Sequence, residues 1–557
     1  MESHMSTIAS TFITPIDALL HWEKHRANEV FLRQPINGIF HEFTWSQVAD
    51  QTRRIAQALT QLGLKPGAKI AILAKNSAEW FINDLAIMYA GFISVPIYST
   101  ANIKTINYVL EHSEAKVLFL GKLDNYLSLE GQLPADVTTI SYPYDTVTCQ
   151  YKWNDLLAQH QPLEKPVRID PNSLMSIIYT SGSTGNPKGV MITFAAYQSA
   201  SVNIISSFDL IPGDRLLSYL PLAHITERVY IEGGSIFSGE TVVSFVESLD
   251  TFVSDIQSVK PTLFISVPRL WTRFQMGILQ KMPAKKLNLL LKIPVISGLV
   301  KNKIQRGLGL HHARILGTGS AAVSPTLLHW YQRLGLNITE AWGMTENMAY
   351  GTLNYPFNPQ KIGSIGKPGM GVELKISPIG EILVKGKGLM TGYYKDEKQT
   401  KNSFDDEGYF KTGDKGEIDG DGYVKIIGRV KDIFKTAKGK YITPVPIECK
   451  FSENPNIDQI CITGTSLAQP IALVVLSPEA RDQAQDVMTS DLENTRQAIN
   501  KSLESHAKIG HIIVLKDEWT IDNGLLTPTL KFKRHELEDR FKPFYESSHA
   551  SSIVWEQ

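Results

Sequence analysis

Short apolar runs alternate with amphipathic segments along the first part of the chain. Residues 69–74, 93–98 and 116–120 are almost continuously apolar and of strand length, and residues 78–89 and 103–112 between them have helical periodicity. Buried strands that alternate with helices are typical of parallel sheets with helices on both faces. We therefore predict an α/β fold, which by itself does not specify a chemistry.

The preceding segment, residues 12–63, has helical patterns only. A first helix is predicted from about residue 16 to 25, and a second over residues 48–62, closed by Gly63. The Phe-Thr-Trp segment at residues 43–45 is predicted to be the turn into the second helix.

Composition bounds the class of protein. A length of 557 residues with 43% hydrophobic and 20% charged residues indicates a globular protein of at least two domains. The 56 basic and 56 acidic residues give no net charge, so the overall balance does not favour a nucleic-acid partner. Three cysteines without a CxxC spacing argue against a disulfide framework or a zinc site. Because no apolar run reaches the ~18 to 20 residues that span a bilayer, and no secretory signal is recognisable, we expect a cytoplasmic protein.

A glycine-rich segment follows the apolar run at residues 174–179. Its backbone N–H groups and hydroxyls are free to surround an anion, and a lysine adds positive charge. The segment, here called the glycine-rich loop, comprises Thr180, Ser181, Gly182, Ser183, Thr184, Gly185 and Lys188. It lacks the Gly-Lys-Ser/Thr ending of a Walker A loop. On this segment alone, a phosphate-binding loop and an ordinary Gly/Ser surface loop remain alternatives.

The pattern Thr-Ser-Gly-Ser-Thr-Gly-x-Pro-Lys-Gly in this loop resembles the signature of the adenylate-forming superfamily. Its members include acyl-CoA synthetases, luciferases and peptide-synthetase adenylation domains. The resemblance implies that the glycine-rich loop holds the β- and γ-phosphates of ATP. The other motifs of the family follow in order along the chain.

The segment Leu-Pro-Leu-Ala-His-x-x-Glu-Arg, residues 220–228, resembles the family segment whose histidine lies near the carboxylate to be activated. A lone histidine is more often a satisfied core or surface residue. The position of His224 in the motif implies a catalytic role, with Glu227 and Arg228 as supporting groups.

Residues 314–322 contain Gly-x-Gly-x-x-Ala after an apolar run, with Glu340 about twenty residues later, which is a pattern of dinucleotide sites. The Val-Ser-Pro segment that follows disfavours that interpretation. The same residues resemble the family loop that lies along the adenine, which implies a nucleotide-binding role for Gly319, Ser320 and Ala321.

The segment Glu-Ala-Trp-Gly-Met-Thr-Glu, residues 340–346, resembles the aromatic-Gly-x-Thr-Glu turn of the family. The resemblance implies that Trp342 and Gly343 contact the purine, where the indole offers a flat face. Thr345 is expected to offer its hydroxyl to phosphate, and Glu346 is expected to be an oxygen ligand for Mg²⁺.

Two further motifs imply a ribose site. The segment Tyr-Phe-Lys-Thr-Gly-Asp ends at Asp414, which we predict at the end of a strand. Its two oxygens match the two hydroxyls of a ribose. Arg429 resembles the family arginine that also contacts the ribose.

Beyond Arg429 the resemblance implies a small domain that turns between an adenylate-forming and a thioester-forming pose. Lys431 corresponds to the pivot. Lys531, in Leu-Thr-Pro-Thr-Leu-Lys, corresponds to the catalytic lysine of the first pose, and Lys435 to the residue that faces the site in the second. Lys438 is found where relatives usually have glycine.

Residues 256–339 contain no Asp or Glu, although twelve Lys or Arg residues occur there. Between Lys281 and Arg306 the lysines are interspersed with aliphatic residues, as in a basic amphipathic element. An anionic bilayer, the phosphates of coenzyme A and no partner at all remain alternatives for this run. The Val-Pro-Arg-x-Trp pattern at residues 267–271 resembles long-chain fatty acyl-CoA synthetases.

These motifs identify the chain as resembling the adenylate-forming superfamily, and most closely its long-chain fatty acyl-CoA synthetases. The resemblance implies a large N-terminal α/β domain of parallel and mixed sheets, residues 6–429, which binds ATP and the acyl substrate. It also implies a small, mobile α+β C-terminal domain, residues 430–557, which carries the catalytic lysine.

The implied reaction is the ATP-dependent activation of a medium- or long-chain fatty acid. An acyl-adenylate forms and its acyl group passes to coenzyme A, giving acyl-CoA, AMP and pyrophosphate, with Mg²⁺ as cofactor. An acyl-acyl-carrier-protein ligase, a ligase for another carboxylic acid and a non-catalytic acyl or nucleotide binder are the alternatives. The expected partners are fatty acid, ATP and coenzyme A, with peripheral contact to the inner face of an anionic membrane as an option and no nucleic acid.

Overall fold

The protein is described by a computed structural model covering residues 12–124, 126–144, 148–180, 186–527, 531–545 and 551–556. Its strands, in chain order, are β1 (Val30–Ile36), β2 (Ile39–Thr44), β3 (Lys69–Ala74), β4 (Ile93–Ile97), β5 (Val117–Gly121), β6 (Thr138–Ser141), β7 (Tyr151–Lys152), β8 (Leu174–Thr180), β9 (Lys188–Thr193), β10 (Asp214–Ser218), β11 (Thr241–Phe245), β12 (Leu263–Ser266), β13 (Ile315–Thr318), β14 (Ile338–Trp342), β15 (Thr352–Leu353), β16 (Lys367–Pro368), β17 (Val372–Ile376), β18 (Glu381–Gly386), β19 (Gly392–Tyr393), β20 (Phe410–Ile418), β21 (Val424–Arg429), β22 (Phe434–Lys435), β23 (Tyr441–Ile442), β24 (Ile457–Thr463), β25 (Ile471–Leu476), β26 (Ile512–Leu515) and β27 (Ile553–Trp555).

The α-helices, in chain order, are α1 (Pro15–Arg26), α2 (Trp45–Gln61), α3 (Ala78–Tyr89), α4 (Ile103–Ser113), α5 (Trp153–Gln159), α6 (Phe194–Phe208), α7 (Ile225–Glu227), α8 (Gly234–Ser238), α9 (Phe252–Val259), α10 (Pro268–Lys281), α11 (Ala284–Leu291), α12 (Pro294–Gly307), α13 (Pro325–Arg333), α14 (Glu397–Asn402), α15 (Pro444–Phe451), α16 (Pro478–Arg481), α17 (Gln485–Lys501) and α18 (Arg534–Tyr545). Short 3₁₀-helices occur at Tyr126–Leu129, Thr345–Asn347 and Pro359–Lys361, and Arg228–Gly233 is a π-helical segment.

Two large sheets form the body of the N-terminal part. One has nine strands in the order β16-β15-β14-β13-β12-β10-β11-β1-β2, and the other has eight in the order β19-β9-β8-β4-β3-β5-β6-β7. Helix α3 lies between them, in contact with β1 of the first sheet and with β3 and β4 of the second, and all twelve of its residues are buried. Most neighbouring strands of both sheets are parallel, which confirms the α/β prediction.

The prediction of only helices before residue 63 was wrong in one respect. Strands β1 and β2 form an antiparallel hairpin, so Phe43 and Thr44 end a strand as well as preceding α2. Asn37 and Gly38 make the two-residue turn with φ of 52° and 76°. Asn-Gly between alternating apolar residues is a strong hairpin signal in the sequence, and Thr44 also caps α2 by accepting a hydrogen bond from the Gln47 N–H.

A four-stranded antiparallel sheet, β17-β18-β20-β21, adjoins these layers. Asp414 was predicted at a strand end, but it lies in the middle of β20. The strand continues to Ile418 because the residues after Asp414 remain paired with β21 across a register shift between Lys415 and Gly416. Asp414 is directly opposite Arg429 in this ladder.

The last part of the chain has its own hydrophobic cores, which lie around the sheet β24-β25-β26-β27 and include no residue before Phe434. Polar side-chain contacts join it to the preceding part. The Arg269 guanidinium contacts both carboxylate oxygens of Asp458 at 2.8 and 3.0 Å, and the Ser324 hydroxyl donates to Glu453. None of the helices in the described ranges has both the length and the apolar character needed to cross a bilayer.

Candidate active site

The Asp414 carboxylate is held by two donors from different strands. The indole Nε1 of Trp342 donates to Oδ2 at 2.9 Å, and Nε of Arg429 lies 2.8 Å from Oδ1. Trp342 ends β14 of the nine-stranded sheet, whereas Asp414 and Arg429 face each other in β20 and β21. The structure therefore brings Trp342 to Asp414, 72 positions later in the sequence, and to the Arg429 that pairs with it.

Glu346 lies in the short 3₁₀-helix that follows β14, and its side chain is buried. The hydroxyl of Tyr393 donates to its Oε1 at 2.9 Å, and Nζ of Lys188 lies 5.5 Å from the centre of the same tyrosine ring. Thr345, beside Glu346, is also buried. Gly343 is required at this turn, because a Cβ there would lie 2.3 Å from the backbone carbon of Ala349.

The glycine-rich loop connects β8 to β9. Thr180 ends β8 and pairs with Lys188 at the start of β9, so the two strands form a hairpin around the loop. Five predicted phosphate-binding residues lie outside the described residues: Ser181, Gly182, Ser183, Thr184 and Gly185. Lys188 lies next to Tyr393, which brings the base of the loop to the Glu346 side of the cleft.

Gly319, Ser320 and Ala321 form the loop after β13, next to β14 in the sheet. Ser320 has a positive φ of 66°, and a Cβ on Gly319 would lie 3.0 Å from the carbonyl oxygen of Ala341. The predicted adenine loop thus runs alongside the strand that ends in Trp342.

His224 is the N-cap of α7, and its Nδ1 accepts a hydrogen bond from the Thr226 N–H at 3.3 Å. Burial, and secondarily the positive charge of Lys531, lowers the pKa of His224 to about 4. The imidazole is therefore neutral near pH 7, and it can accept or donate a hydrogen bond without adding charge beside Lys531.

Glu227, three residues after this histidine, lies in a buried polar cluster. Its Oε1 accepts hydrogen bonds from the Ser218 hydroxyl at 2.7 Å and from the Tyr219 N–H at 3.0 Å, with the Asn76 amide at 3.3 Å. Burial raises the pKa of Glu227 to about 8, although these donors lower it. The cluster ties the His224 segment to β10 and to the end of β3.

Arg228 has different partners from those expected of a group supporting His224. It is fully buried, pairs with Asp84 of α3 and with Glu232, and donates to the Ser176 hydroxyl of β8 at 2.7 Å. Its guanidinium therefore connects the helix between the two large sheets to β8.

Lys531 belongs to the C-terminal part but is close enough to the residues of this site to interact with their charges. Its backbone N–H donates to the Thr527 hydroxyl at 3.1 Å, and Leu526 forms a β-bridge with Phe532. Desolvation in the cleft and then the charge of Arg429 lower the pKa of Lys531, whereas the carboxylates of Asp414 and Glu346 raise it. Lys531, His224, Asp414, Glu346 and Arg429 are thus electrostatic neighbours.

Lys435 is positioned elsewhere. It pairs with Tyr441 in the β22–β23 hairpin, and its Nζ lies 5.5 Å from the centre of that ring. Lys431 lies in the turn after β21, where the Asp432 N–H donates to the Arg429 carbonyl. Lys438 is exposed at the tip of the hairpin, beside Gly439, which has a φ of 75°.

Sequence reasoning missed Tyr393 and Asn76 at this site. Tyr393 was not among the predicted site residues, but its hydroxyl contacts Glu346. Asn76 follows β3 and contacts the Glu227 cluster from a distant part of the chain. A polar residue at the carboxyl end of a buried strand is the signal that would have indicated Asn76.

Comparison with known proteins gives matches over nearly the whole chain. Residues 21–394 match the family described as AMP-binding enzyme, and residues 431–547 match the AMP-binding enzyme C-terminal domain. The long-chain-fatty-acid–CoA ligase FadD15 of Mycobacterium bovis is 30% identical, over 93% of this chain and 94% of the relative. The long-chain-fatty-acid–CoA ligase 5 of Rattus norvegicus is also 30% identical, over 92% and 86%.

Solved structures have the same fold. The adenylation domain of a carboxylate reductase from Mycobacterium chelonae superposes with a TM-score of 0.82 at 22% identity, over 98% of this chain and 92% of that one. The o-succinylbenzoate–CoA synthetase of Bacillus subtilis, solved with its acyl-adenylate intermediate, gives 0.73 at 20% identity, over 94% and 98%. The expected combination of a large α/β part and a smaller C-terminal part is confirmed by these neighbours.

Proposed function

The chain belongs to the AMP-binding enzyme family, and from this premise we propose that it is an AMP-forming ligase for fatty acids. It activates a medium- or long-chain fatty acid with ATP to an acyl-adenylate, and then transfers the acyl group to coenzyme A. The products are acyl-CoA, AMP and pyrophosphate. Relatives named as long-chain-fatty-acid–CoA ligases, which are similar over almost their full length, support this substrate class.

The observation that carries the proposal is that Lys531, from the C-terminal part, is an electrostatic neighbour of Asp414, Glu346 and His224. A lysine from one part of the chain meets carboxylates from another, and the lysine charge is available to an anionic group between them. Attack by a fatty-acid carboxylate on the α-phosphorus of ATP concentrates negative charge at that point and expels pyrophosphate. A fixed positive charge there stabilises the transition state.

The residues of the cleft fit a nucleotide. In this proposal Asp414 and Arg429 bind the ribose, Trp342 covers the purine, and Gly319, Ser320, Ala321 and Gly343 line its edge. Thr345, Lys188 and the glycine-rich loop hold the phosphates. The neutral imidazole of His224 lies near the fatty-acid carboxylate and does not compete with Lys531 for it.

The site also fits Mg²⁺ that arrives with ATP. Among the described residues there is no group of three or more His, Cys, Asp or Glu that would hold a metal alone. Mg²⁺ commonly binds through one or two carboxylates together with substrate phosphates. Glu346, which Tyr393 orients through one oxygen, would be that ligand, and the ion would neutralise phosphate charge.

Thioester formation needs the second pose. We propose that the part after Arg429 is a mobile domain, residues 430–557, which turns about Lys431 and brings Lys435 to the cleft. The thiol of coenzyme A then attacks the acyl carbonyl, and AMP leaves. The N-terminal domain, residues 6–429, remains the binding site for ATP and acyl group throughout.

The proposal includes peripheral contact with an anionic membrane, which the excess of basic residues from 281 to 306 supports. Magnesium dependence and a preference for particular acyl chains also belong to the proposal.

The test is ATP–pyrophosphate exchange with saturated fatty acids of increasing chain length. We expect exchange to rise from short acids to a maximum at medium or long chains, and to be lost when Mg²⁺ is chelated. Thioester formation is measured in parallel with coenzyme A and with an acidic acyl-carrier protein. If no fatty acid supports exchange, the enzyme assignment is contradicted. If thioester forms with the carrier protein and not with coenzyme A, the carrier-protein ligase is favoured.

A further inference from the structure

Helices α11 and α12 carry a cluster of aliphatic side chains that point to the surface. Val295 is 78% exposed, Leu299 is 67% exposed and Leu289 is 63% exposed, and Ile293 and Ile296 beside them are also exposed. We call these five residues the aliphatic face. Large exposed aliphatic residues are normally scattered singly. Here five of them lie between residues 289 and 299, and Val295 and Leu299, four positions apart, share one side of α12.

Positive charge flanks the aliphatic face along the chain. Residues 281–306 contain seven Lys or Arg and no Asp or Glu, and the nearest acidic residues along the chain are Asp255 and Glu340. Lys285, Lys286 and Lys292 are exposed on or beside the same two helices. The surface therefore combines exposed aliphatic side chains with charges of one sign. A basic helix that is only solvated would not require the aliphatic side chains.

The outward side chains are not needed to hold the two helices in place. Leu287 of α11 and Ile304 of α12 are the buried residues of these helices, and both belong to the core that contains Trp271 and Tyr331. The two helices also pack against each other. The side of the helix pair that carries Leu287 and Ile304 is fixed in this core, so the opposite side is held in place at the surface.

We propose that the aliphatic face inserts into the outer layer of an anionic lipid bilayer, with the surrounding lysines over the lipid phosphates. Basic side chains flanking a short apolar surface are the pattern of interfacial helices. A second copy of the chain would bring seven positive charges against seven, which opposes a symmetric dimer through this surface. An acidic soluble protein would match the charge but leaves the aliphatic side chains unexplained.

This inference rests on the proposed function for its purpose. Long-chain fatty acids partition into bilayers, so a ligase held at the bilayer surface meets its substrate at a high local concentration. Docking through α11 and α12 therefore predicts that membranes containing anionic lipid increase turnover of membrane-borne acids. Turnover of a short, water-soluble acid does not depend on the surface.

Two variants separate the apolar and the charged contributions. The first is Leu289→Ser with Val295→Ser and Leu299→Ser, and the second is Lys285→Gln with Lys286→Gln and Lys292→Gln. The matched control is Ile379→Ser with Lys398→Gln and Lys401→Gln, which changes equally exposed residues on other elements. Because all of these side chains are exposed, each variant is expected to fold, and thermal melting verifies this.

Binding is measured by co-sedimentation with vesicles of phosphatidylcholine alone and of phosphatidylcholine with phosphatidylglycerol. We expect the wild type to bind only the anionic vesicles and to dissociate at high salt. The lysine variant should bind roughly a hundredfold more weakly, at about fivefold per lysine, and the serine variant roughly tenfold or more. Hydrogen exchange should show protection of residues 284–303 in the wild type only when anionic vesicles are present.

Three results would overturn the inference: vesicle binding that both variants retain, protection located outside α11 and α12, or a dimer that the serine variant abolishes. Turnover of octanoate with coenzyme A and without vesicles is measured for every protein. If the wild type forms no acyl-CoA from octanoate or from any longer fatty acid, the proposed function fails while vesicle binding still tests the surface. If the wild type is active and the variants do not change vesicle binding, only the surface is refuted.

Discussion

At the scale of single residues, Asp414 is held by two protein donors, the Trp342 indole and the Arg429 guanidinium. Each carboxylate oxygen has more than one acceptor site, so both oxygens keep capacity for ribose hydroxyls. A carboxylate that is already oriented loses less freedom when the ligand binds. The indole at position 342 can therefore position Asp414, in addition to the purine contact that we propose for it.

The first prediction concerns this indole. Trp342→Phe keeps a flat apolar face but removes the N–H donor to Asp414, so we expect ATP to bind roughly tenfold more weakly, about 1.4 kcal/mol. Isothermal titration with ATP measures the change. In Asp414→Asn, the same Trp342→Phe substitution should have a smaller effect, because the two residues act through one hydrogen bond. Full additivity of the two losses would show that the indole does not act through Asp414.

The second prediction concerns Glu227 and pH. The pKa of Glu227 in the folded protein is raised to about 8 from a reference of 4.5, so the folded state keeps a proton that the unfolded state releases. Stability is therefore lost as pH rises through this window, with a slope of up to about 1.4 kcal/mol per pH unit from this group. Glu227→Gln keeps an acceptor oxygen and removes the titration.

We expect the melting temperature of Glu227→Gln to fall less between pH 5.5 and 7.5 than that of the wild type, as measured by calorimetry. Glu397→Gln, a change at an exposed glutamate of α14, is the control and should follow the wild-type curve. Parallel curves for Glu227→Gln and the wild type would mean that Glu227 is ionised in the folded protein at neutral pH.

At the scale of elements, the start of α10 contacts the C-terminal part through Arg269 and Asp458. This pair is partly exposed and links the two parts in the arrangement in which Lys531 interacts with the charges of the cleft. Exposed pairs of this kind contribute about 0.2 to 1 kcal/mol. A contribution of that size changes the population of a pose up to about fivefold without abolishing either pose.

The third prediction follows from that pair. Arg269→Glu should slow adenylate formation about two- to fivefold while thioester formation from supplied acyl-adenylate is retained, and adding Asp458→Arg should restore the rate. Single-turnover assays of the two half-reactions measure this. Arg273→Glu, one turn further along α10 and exposed, is the charge-matched control. An equal loss in the control would assign the effect to overall charge.

At the scale of the whole molecule, two lysines of the C-terminal part lie in different places. Lys531 is an electrostatic neighbour of Asp414 and Glu346, whereas Lys435 lies over Tyr441 in its own hairpin. A single arrangement of the two parts accounts for the first half-reaction only. The second lysine can take part if the C-terminal domain turns.

The fourth prediction is that the two lysines affect opposite half-reactions. Lys531→Ala should reduce adenylate formation by roughly two to three orders of magnitude, about 3 to 4 kcal/mol in barrier, because it removes a charge from the transition state. Thioester formation from supplied acyl-adenylate should survive. Lys435→Ala should show the reverse pattern. Lys533→Ala and Lys440→Ala, at positions near Lys531 and Lys435, are the controls. Equal loss of both half-reactions in Lys531→Ala and in Lys435→Ala would refute the two-pose account.

Local patterns were sufficient for much of the fold. The apolar run at residues 69–74 and the helical pattern at 78–89 have the bounds that the structure gives β3 and α3, because periodicity and caps are properties of neighbouring residues. The order of the motifs was also sufficient to identify the family. The hairpin β1–β2 was missed although its Asn-Gly turn is a local signal.

Contacts between distant residues needed the tertiary structure. Nothing near Trp342 indicates that its indole donates to Asp414, and Tyr393 meets Glu346 only because β19 joins β9 beside the cleft. The sequence placed seven basic residues between 281 and 306, but their relation to the exposed aliphatic side chains depends on which side of α11 and α12 is anchored in the core. Burial and pairing are collective properties of packed elements, and therefore the sequence determined which groups were available while the packing determined which of them meet.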